Sequence, residues 1–185
     1  MKVALIGSYG HSGYVLDGMV GRDDCELVAV ARWGANDALG YHGRHPACPA
    51  DVPVWDDYAE MLDAVRPDIA GVFLPFYRIA EGCIAAAERG CHVIAEKPLA
   101  TELDDLAAVR QAVEDAGVRV AALLGLRQSR CFQAVRDAVC RGRIGEPIQA
   151  SGQVSYVFGR RDAFYRDRAT YGGTIPWIGI HALDF

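Results

Sequence analysis

Glycine recurs at every third position near the start of the chain, in the run Gly7-Ser8-Tyr9-Gly10-His11-Ser12-Gly13. The run follows an apolar segment and precedes a helical pattern. Glycine adopts positive φ and lets backbone N–H groups approach a diphosphate, which the positive end of the following helix also attracts. The usual dinucleotide fingerprint is G-x-G-x-x-G, and the spacing here is G-x-x-G-x-x-G. A tight turn without a ligand is therefore the alternative. The pattern predicts a dinucleotide held by Gly7, Tyr9, Gly10, His11, Ser12 and Gly13.

Arg32 directly follows the second apolar run, Glu26–Ala31, at a position that often reports the type of nucleotide. An acidic residue at this point binds a ribose 2′-hydroxyl, whereas an arginine accommodates a 2′-phosphate. A guanidinium pairs with phosphate through two parallel hydrogen bonds. We therefore expect the cofactor NADP(H) in preference to NAD(H), with NAD(H) still possible. A solvated arginine is the alternative.

Lys97 is one of only two lysines, and it lies in the segment Glu96-Lys97-Pro98 after the apolar run Cys91–Ala95. Open α/β sheets bind ligands at the carboxyl ends of their strands. An amine at such a place could donate a proton or a hydrogen bond to a substrate oxygen, and burial would lower its pKa toward neutrality. Glu96 could orient or neutralise the amine. The alternative is a surface lysine before a helix.

The elements that must position these residues are short apolar runs alternating with helical patterns. The runs cover Lys2–Ile6, Glu26–Ala31, Asp68–Leu74, Cys91–Ala95 and Val118–Leu124. Helices are predicted over His11–Val20, Asp56–Arg66, Ile79–Arg89, the stretch from an N-cap at Thr101 to a stop at Gly117, and Phe132–Arg141. Buried strands alternating with helices indicate an α/β class with a Rossmann-type parallel sheet. A loop is predicted between Trp33 and Pro53.

The pattern changes after Gly145. Pro147–Phe158 alternates like a half-exposed strand, Arg160–Tyr171 is polar and loop-like, and Gly172–Phe185 predicts a helical or turn segment. The parallel unit is therefore expected to end near Leu124, with a different kind of unit beyond it.

Composition limits the classes of function. The chain has 185 residues and a formal charge of −5, which removes the simplest electrostatic case for nucleic acid or membrane binding. The start shows no signal-peptide pattern and no stretch has the length of a membrane span. The six cysteines form no C-x-x-C pair. We expect a cytoplasmic protein with reduced cysteines and a small-molecule substrate.

Two weaker patterns have a solvated loop as their alternative interpretation. His42, His45 and Cys48 offer zinc-ligand types, but no second half of a site follows, and no metal is expected. The arginines of segment 160–168 lie among aromatic residues, as in some nucleic-acid binders. In an acidic chain, a solvated loop or a clamp for an anionic substrate is the better interpretation, and no nucleic-acid partner is expected.

Three segments together resemble the Gfo/Idh/MocA oxidoreductases: Gly90–Ala100 (GCHVIAEKPLA), Gly142–Pro147 (GRIGEP) and Gly172–Asp184 (GGTIPWIGIHALD). They occur in the family's order and spacing. The resemblance implies a Rossmann domain over residues 1–124, followed at 125–185 by the beginning of an α+β substrate and dimerisation domain that is incomplete. It also implies nicotinamide-dependent hydride transfer to or from a sugar, a cyclitol or a related hydroxyl or carbonyl compound, with a homo-oligomer possible.

The same resemblance implies roles for single residues. Lys97 would be the lysine near the reacting oxygen. His181 would match the motif's histidine, a proton donor or acceptor whose ordinary pKa lies near neutrality. Lys97 and His181 are therefore the predicted catalytic residues, and Glu96 and Lys97 are also expected to contact the cofactor.

The sequence departs from the family pattern at the proposed substrate and nicotinamide contacts. Trp177 stands where the family has an aspartate, which favours a substrate with an apolar or aromatic part. Leu74-Pro75 stands where the family often has Thr-Pro, so the cofactor contacts expected there are altered. Trp177 and Asp184 are predicted to contact substrate.

A second class of function stays open. Trp177 and the end of the sequence at Phe185 are also compatible with a non-catalytic nucleotide-binding protein, or with a truncated fragment of such an enzyme. Hydride exchange with a substrate would separate the two. A scaffold that binds no nucleotide would respond to neither cofactor.

Overall fold

A computed structural model describes residues 1–184 of the chain. The chain divides into two compact units, Met1–Leu123 and Leu124–Phe185. Each unit has its own elements and is described separately below.

The first unit is built on one sheet of six strands, and every neighbouring pair is parallel. The strands are β1 (Lys2–Ile6), β2 (Glu26–Ala31), β3 (Val54–Trp55), β4 (Ile69–Val72), β5 (His92–Ala95) and β6 (Val120–Ala122). Their order is β3-β2-β1-β4-β5-β6. This is the strand order of dinucleotide-binding sheets, and it confirms the predicted α/β class.

Helices connect the strands of the first unit. They are α1 (Ser12–Met19), α2 (Tyr58–Val65), α3 (Ile79–Ala87) and α4 (Leu103–Ala116), with a 3₁₀ turn at Phe76–Arg78. Asp57 caps α2 by accepting hydrogen bonds from the N–H groups of Ala59 and Glu60, the second and third residues of the helix. Gly117 ends α4 in the left-handed conformation, as the sequence predicts.

The core forms where the central strands meet α1 and the loop after β2. In the middle of the sheet, Leu5 of β1, Val30 of β2 and Phe73 just after β4 are fully buried. Leu16 of α1 and Leu39 of the loop pack in the same cluster. Because strands buried on both faces lose their solvent-facing polar side, they appear in the sequence as continuous apolar runs.

The direction of strand order reverses between β1 and β4, which are hydrogen-bonded neighbours. A crevice opens at the carboxyl ends of the strands wherever such a reversal occurs. The loop after β1 contains the glycine run, and the loop after β5 contains Lys97. The topology therefore gathers the two motifs at one edge of the sheet.

The structure differs from the sequence predictions at three elements: one strand was not predicted, and two expectations were wrong. Strand β3 was not predicted, because its two residues are too few to show a pattern and Pro53 precedes them. No strand forms over Pro147–Phe158. A strand needs a hydrogen-bonding partner, and the second unit, as far as the structure describes it, forms no strand to pair with this segment. The cap of α4 is Glu102 rather than Thr101, and it has no side-chain cap bond.

The second unit contains α5 (Arg130–Cys140), α6 (Arg168–Tyr171) and α7 (Ile180–Leu183). Shorter turns lie at Gly125–Gln128, Ala163–Arg166 and Ile175–Gly179. The helical or turn segment predicted after Gly172 is present through Leu183, and Phe185 lies outside the described residues. Throughout residues 1–184, every helix is too short or too polar to cross a membrane.

Candidate functional site

Gly7 begins the turn after β1 in a conformation that requires glycine. Its φ is +77°, and an added Cβ would overlap the carbonyl oxygen of Phe73. The Gly7 N–H donates to Ala31 O at 2.8 Å, and the Tyr9 N–H donates to Phe73 O at 2.9 Å. The turn is therefore tied to the ends of both strands that flank β1, across the reversal point of the sheet.

Gly10 leaves room for a buried carboxylate. Its φ is +76°, and a Cβ there would overlap the side chain of Glu96. Glu96 is 1% exposed. One carboxylate oxygen accepts from the His11 N–H at 2.7 Å and lies 2.8 Å from His11 Nδ1, while the other accepts from the Lys97 N–H at 2.9 Å. Glu96 thus joins the glycine turn to the end of β5.

This arrangement shifts the pKa values of three groups. Burial raises the pKa of Glu96, but hydrogen bonds from the His11 side chain and from the Lys97 and His11 N–H groups outweigh burial, so the net pKa is lowered. The hydrogen bond to Glu96 raises the pKa of His11 against the opposing effect of burial. Burial lowers the pKa of Lys97, and the charge of Glu96 offsets part of that effect. The site therefore favours the charged form of Glu96, and it favours the protonated form of His11 more than water does.

Gly13 is the open position of the run. A Cβ there would meet no protein atom within 4 Å. Ser12 is the first residue of α1, and the N–H groups of a helix's first turn have no partner inside the helix. The open space beside Gly13 and the positive end of α1 fit the diphosphate of a dinucleotide, which needs backbone donors and no intervening side chain.

Arg32 lies at the end of β2, where the sequence placed it, and its side chain is about one-third exposed. Its N–H donates to Trp55 O of β3 at 2.8 Å. Its guanidinium donates through Nη1 to the carbonyl oxygen of Asp37, and its Nε lies 3.7 Å from the Asp56 carboxylate. The guanidinium is therefore held between two loops at the tip of the sheet.

Asp37 organises the loop after β2, a role that was not predicted from the sequence. The side chain is buried, with the residue 2% exposed. Its carboxylate accepts hydrogen bonds from Ser8 Oγ, from the Leu39 N–H at 3.0 Å and from the Trp33 N–H at 3.2 Å. The only sequence signal was its place in the turn-forming segment G-A-N-D, which gives no indication of burial.

Tyr41 holds the glycine turn, and this role was also not predicted from the sequence. Its hydroxyl donates to Gly7 O at 2.9 Å, and the residue is 8% exposed. Burial raises its pKa far above the ordinary value for a phenol. The hydroxyl is therefore a permanent donor that holds the glycine turn, rather than a group that exchanges protons.

Lys97 is buried at the end of β5, with 5% of the residue exposed. Its Nζ lies 5.9 Å from the centre of the Phe76 ring, and Tyr9 meets that ring edge-on at 5.9 Å. Leu74 and Pro75, just before Phe76, are both buried, and Leu74 has no exposed surface. A cofactor contact from Leu74 would therefore use its backbone rather than its side chain.

In the second unit, His181 and Asp184 line a cavity of about 570 Å³ between α5, α7 and Pro147–Ala150. The Asp184 side chain is 9% exposed and forms a two-pronged ion pair with Arg127, both oxygens lying 2.7 Å from Nε. Asp184 is thus neutralised by its own unit. Lys97 and His181, the two predicted catalytic residues, belong to different units.

Trp177 lies at the centre of an aromatic cluster in the second unit and is 7% exposed. Ring centres of four aromatic residues lie 5.1–6.4 Å away: Tyr165, Tyr171, Tyr156 and Phe158. The Arg161 guanidinium lies 5.3 Å above the Trp177 ring. The tryptophan packs this unit, and its predicted contact with substrate stays a prediction.

The two histidines of the loop after β2 contact separate partners, and the cysteine of the same loop is buried. His42 Nε2 lies 3.4 Å from Val52 O, His45 Nε2 lies 3.1 Å from an Asp17 oxygen, and Cys48 is buried. Within residues 1–184, no group of three His, Cys, Asp or Glu side chains could hold a metal ion.

Comparison with known proteins gives a family match. The model of the family described as "Oxidoreductase family, NAD-binding Rossmann fold" matches residues 1–123. D-glucoside 3-dehydrogenase of Escherichia coli is 30% identical over the whole chain, which spans 52% of that enzyme. The chain therefore covers about half the length of this curated relative.

Solved structures also match the fold of this chain. A structure from Thermotoga maritima superposes with a TM-score of 0.85 and 31% identity over all of this chain and 57% of that one. The WlbA dehydrogenase from Bordetella pertussis, solved in complex with NADH and UDP-GlcNAcA, gives a TM-score of 0.66 and 25% identity. That match covers 78% of this chain and 43% of the dehydrogenase.

Proposed function

Because this chain belongs to the Gfo/Idh/MocA oxidoreductase family, with its NAD-binding Rossmann fold, we propose that it binds a nicotinamide dinucleotide for hydride transfer. The reaction exchanges a hydride between the nicotinamide and a carbon that bears a hydroxyl or carbonyl group. The first unit holds the cofactor, and residues 125–185 begin the α+β domain that holds the substrate.

One observation carries this proposal: the glycine turn lies at the reversal point of the sheet and is bonded to the end of β5. Tyr9 binds Phe73 O just after β4, and Glu96 binds His11. A diphosphate at Gly13 would direct the nicotinamide half of the cofactor toward the ends of β4 and β5. Lys97 lies at the end of β5.

The bound nicotinamide supplies or accepts the hydride. In the reducing direction, the ammonium of Lys97 would give one proton to the substrate oxygen as the carbonyl carbon gains the hydride, which would leave a neutral amine and an alcohol. Burial lowers the pKa of Lys97 and so makes this proton easier to release. Oxidation reverses both transfers, with the neutral amine accepting the proton.

His181 is proposed as a second proton donor or acceptor, since it lines the cavity of the second unit. Asp184 lines the same cavity, but its charge is paired with Arg127. We therefore propose that Asp184 contacts the substrate through oxygen lone pairs that Arg127 does not use. The ion pair as a whole presents little net charge to the ligand.

The proposed substrate is a sugar or cyclitol-like compound. Two related proteins support this class: one is a D-glucoside 3-dehydrogenase, and one was solved in complex with NADH and UDP-GlcNAcA. For the cofactor, we propose NADP(H) in preference to NAD(H), because Arg32 stands at the end of β2 without a carboxylate in that position.

The test is hydride transfer by the purified chain. Reduced and oxidised cofactors are offered with a panel of sugars, cyclitols and their keto derivatives, and nicotinamide fluorescence is followed. Lys97→Ala is expected to lower turnover by about 10²–10⁴-fold while cofactor affinity stays within about twofold. An equal loss in Lys2→Ala, the other lysine, would point to general charge effects instead.

Cofactor binding without turnover on any member of the panel would favour the second candidate, a nucleotide-binding protein without catalysis. Trp177 is the observation that favours it, because a buried ring occupies the position of the family's aspartate. Unchanged turnover in Lys97→Ala would remove this residue from the mechanism.

A further inference from the structure

Asp56 lies beside the arginine that would discriminate between the two cofactors. Its Oδ1 is 3.7 Å from Arg32 Nε, and its side chain is 95% exposed while that of Arg32 is 34% exposed. Asp56 directly follows β3, the strand that pairs with β2. The short strand therefore brings a carboxylate to the place where Arg32 ends β2.

The Arg32 guanidinium is anchored on its other side. Its Nη1 donates to the carbonyl of Asp37, whose buried carboxylate binds Ser8 Oγ and the Trp33 and Leu39 N–H groups. Two segments, the glycine turn and the loop after β2, thus hold the residue that binds one arm of the guanidinium. Arg32 cannot swing far from Asp56 without losing the bond to Asp37.

A 2′-phosphate at this place would face two opposite charges. Such a group carries about −1.5 to −2 at pH 7, so it is attracted by the guanidinium and repelled by a neighbouring carboxylate. A ribose 2′-hydroxyl is neutral and can donate a hydrogen bond to that carboxylate. Asp56 therefore weakens the attraction for NADPH without weakening that for NADH.

We propose that Asp56 is a specificity-determining residue of the cofactor site: through its pairing with Arg32 it limits the preference for NADPH and keeps NADH usable. This proposal rests on the proposed function, because it assumes that the adenosine ribose of a dinucleotide lies at the end of β2. The choice of cofactor would then depend on two opposite charges, one arginine and one carboxylate, which directly follow neighbouring strands.

The test measures the affinities of NADPH and NADH for the full chain, by nicotinamide fluorescence, in the wild type and in variants. Asp56→Asn is expected to tighten NADPH binding by about 2–5-fold, the size typical of exposed charge pairs, with NADH unchanged or slightly weaker. The gain is expected to shrink in 1 M salt, because the screening length there is only about 3 Å.

The matched control is Glu60→Gln, which removes the same charge from an exposed position in the first turn of α2. It is expected to leave the ratio of affinities unchanged. In the Arg32→Ala background, Asp56→Asn is expected to tighten NADPH binding less than it does in the wild type, because the part of the effect that depends on the pairing with the arginine is lost and only the direct repulsion remains. Thermal unfolding checks that each variant folds.

The outcomes separate this inference from the proposed function. If the wild type binds both cofactors but Asp56→Asn leaves their ratio unchanged, or changes it equally without Arg32, the role of Asp56 is overturned and the proposed function stands. If folded wild type binds neither cofactor, the proposed function fails and the inference fails with it.

Discussion

Glu96 connects two segments of the candidate site that lie far apart in the sequence. Its buried carboxylate accepts hydrogen bonds from His11 on one side and from Lys97 on the other. The sequence predicted each of these residues as a cofactor contact, but it could not show that they bind one another. That contact depends on β1 and β5 being brought to the same edge of the sheet with β4 between them.

The pKa of His11 reports directly on the hydrogen bond between His11 and Glu96. The hydrogen bond to Glu96 raises it above the ordinary value of 6.5. NMR titration is expected to show His11 protonating above pH 6.5 in the wild type, and at or below 6.5 in Glu96→Gln, where burial and the charge of Lys97 both lower the pKa. Glu60→Gln is the control, and it should leave the titration of His11 where it was.

The sign of the linked stability follows from the same shifts. The raised pKa of His11 gives a stabilisation that is complete below pH 6.5 and is lost as pH rises through the folded value. The lowered pKa of Glu96 gives a stabilisation present above pH 4.5 and lost as pH falls through its folded value. Because the His11 side chain is half exposed, its share stays below about 1 kcal/mol. The measurement compares the unfolding midpoints of the wild type and of Glu96→Gln between about pH 6 and 9. A difference between the two proteins that stayed constant over this range would contradict the expected pH dependence.

At the scale of elements, the sequence predicted what depends on local patterns. Five of the six strands and the helices between them follow from apolar runs and from stop signals such as Gly117. Strand β3 did not, because two residues carry no periodicity. Pro147–Phe158 has the alternation of a strand, but pairing decides whether a strand forms, and pairing is not a local property.

The two helix caps give a direct comparison of prediction with structure. Asp57→Ala removes two bonds from the start of α2 and is expected to destabilise the first unit by about 1 kcal/mol. Thr101→Ala removes a side chain with no capping role at α4 and is expected to cost less than about 0.5 kcal/mol. Chemical denaturation measures both, and equal losses would show that Thr101 is the cap after all.

The two units of the chain have different cores. The first buries a continuous set of residues from β1, β2, α1 and the loop after β2. Between residues 124 and 184, the buried hydrophobic side chains are Tyr165, Trp177 and Ile178. Fewer buried apolar contacts mean a lower free energy for local opening.

Amide hydrogen exchange is therefore expected to divide at the boundary between the units. The slowest amides of β1, β4 and β5 should exchange at least about 10-fold more slowly than the slowest amides of α5, since tenfold corresponds to about 1.4 kcal/mol of opening free energy. Equal protection in both units would contradict the description of the second as the weaker core.

Cofactor binding at the glycine turn is the central claim, and one titration tests it most directly. NADPH and NADH are titrated into wild type, Gly13→Ala and Gly18→Ala, since an added Cβ meets no protein atom within 4 Å at either glycine of α1. Both variants should fold as the wild type does. Gly13→Ala should bind both cofactors at least about 10-fold more weakly, because its methyl group takes the place of the diphosphate, whereas Gly18→Ala should not. Absence of binding to the wild type, or equal affinities in all three proteins, would contradict a cofactor site at this turn.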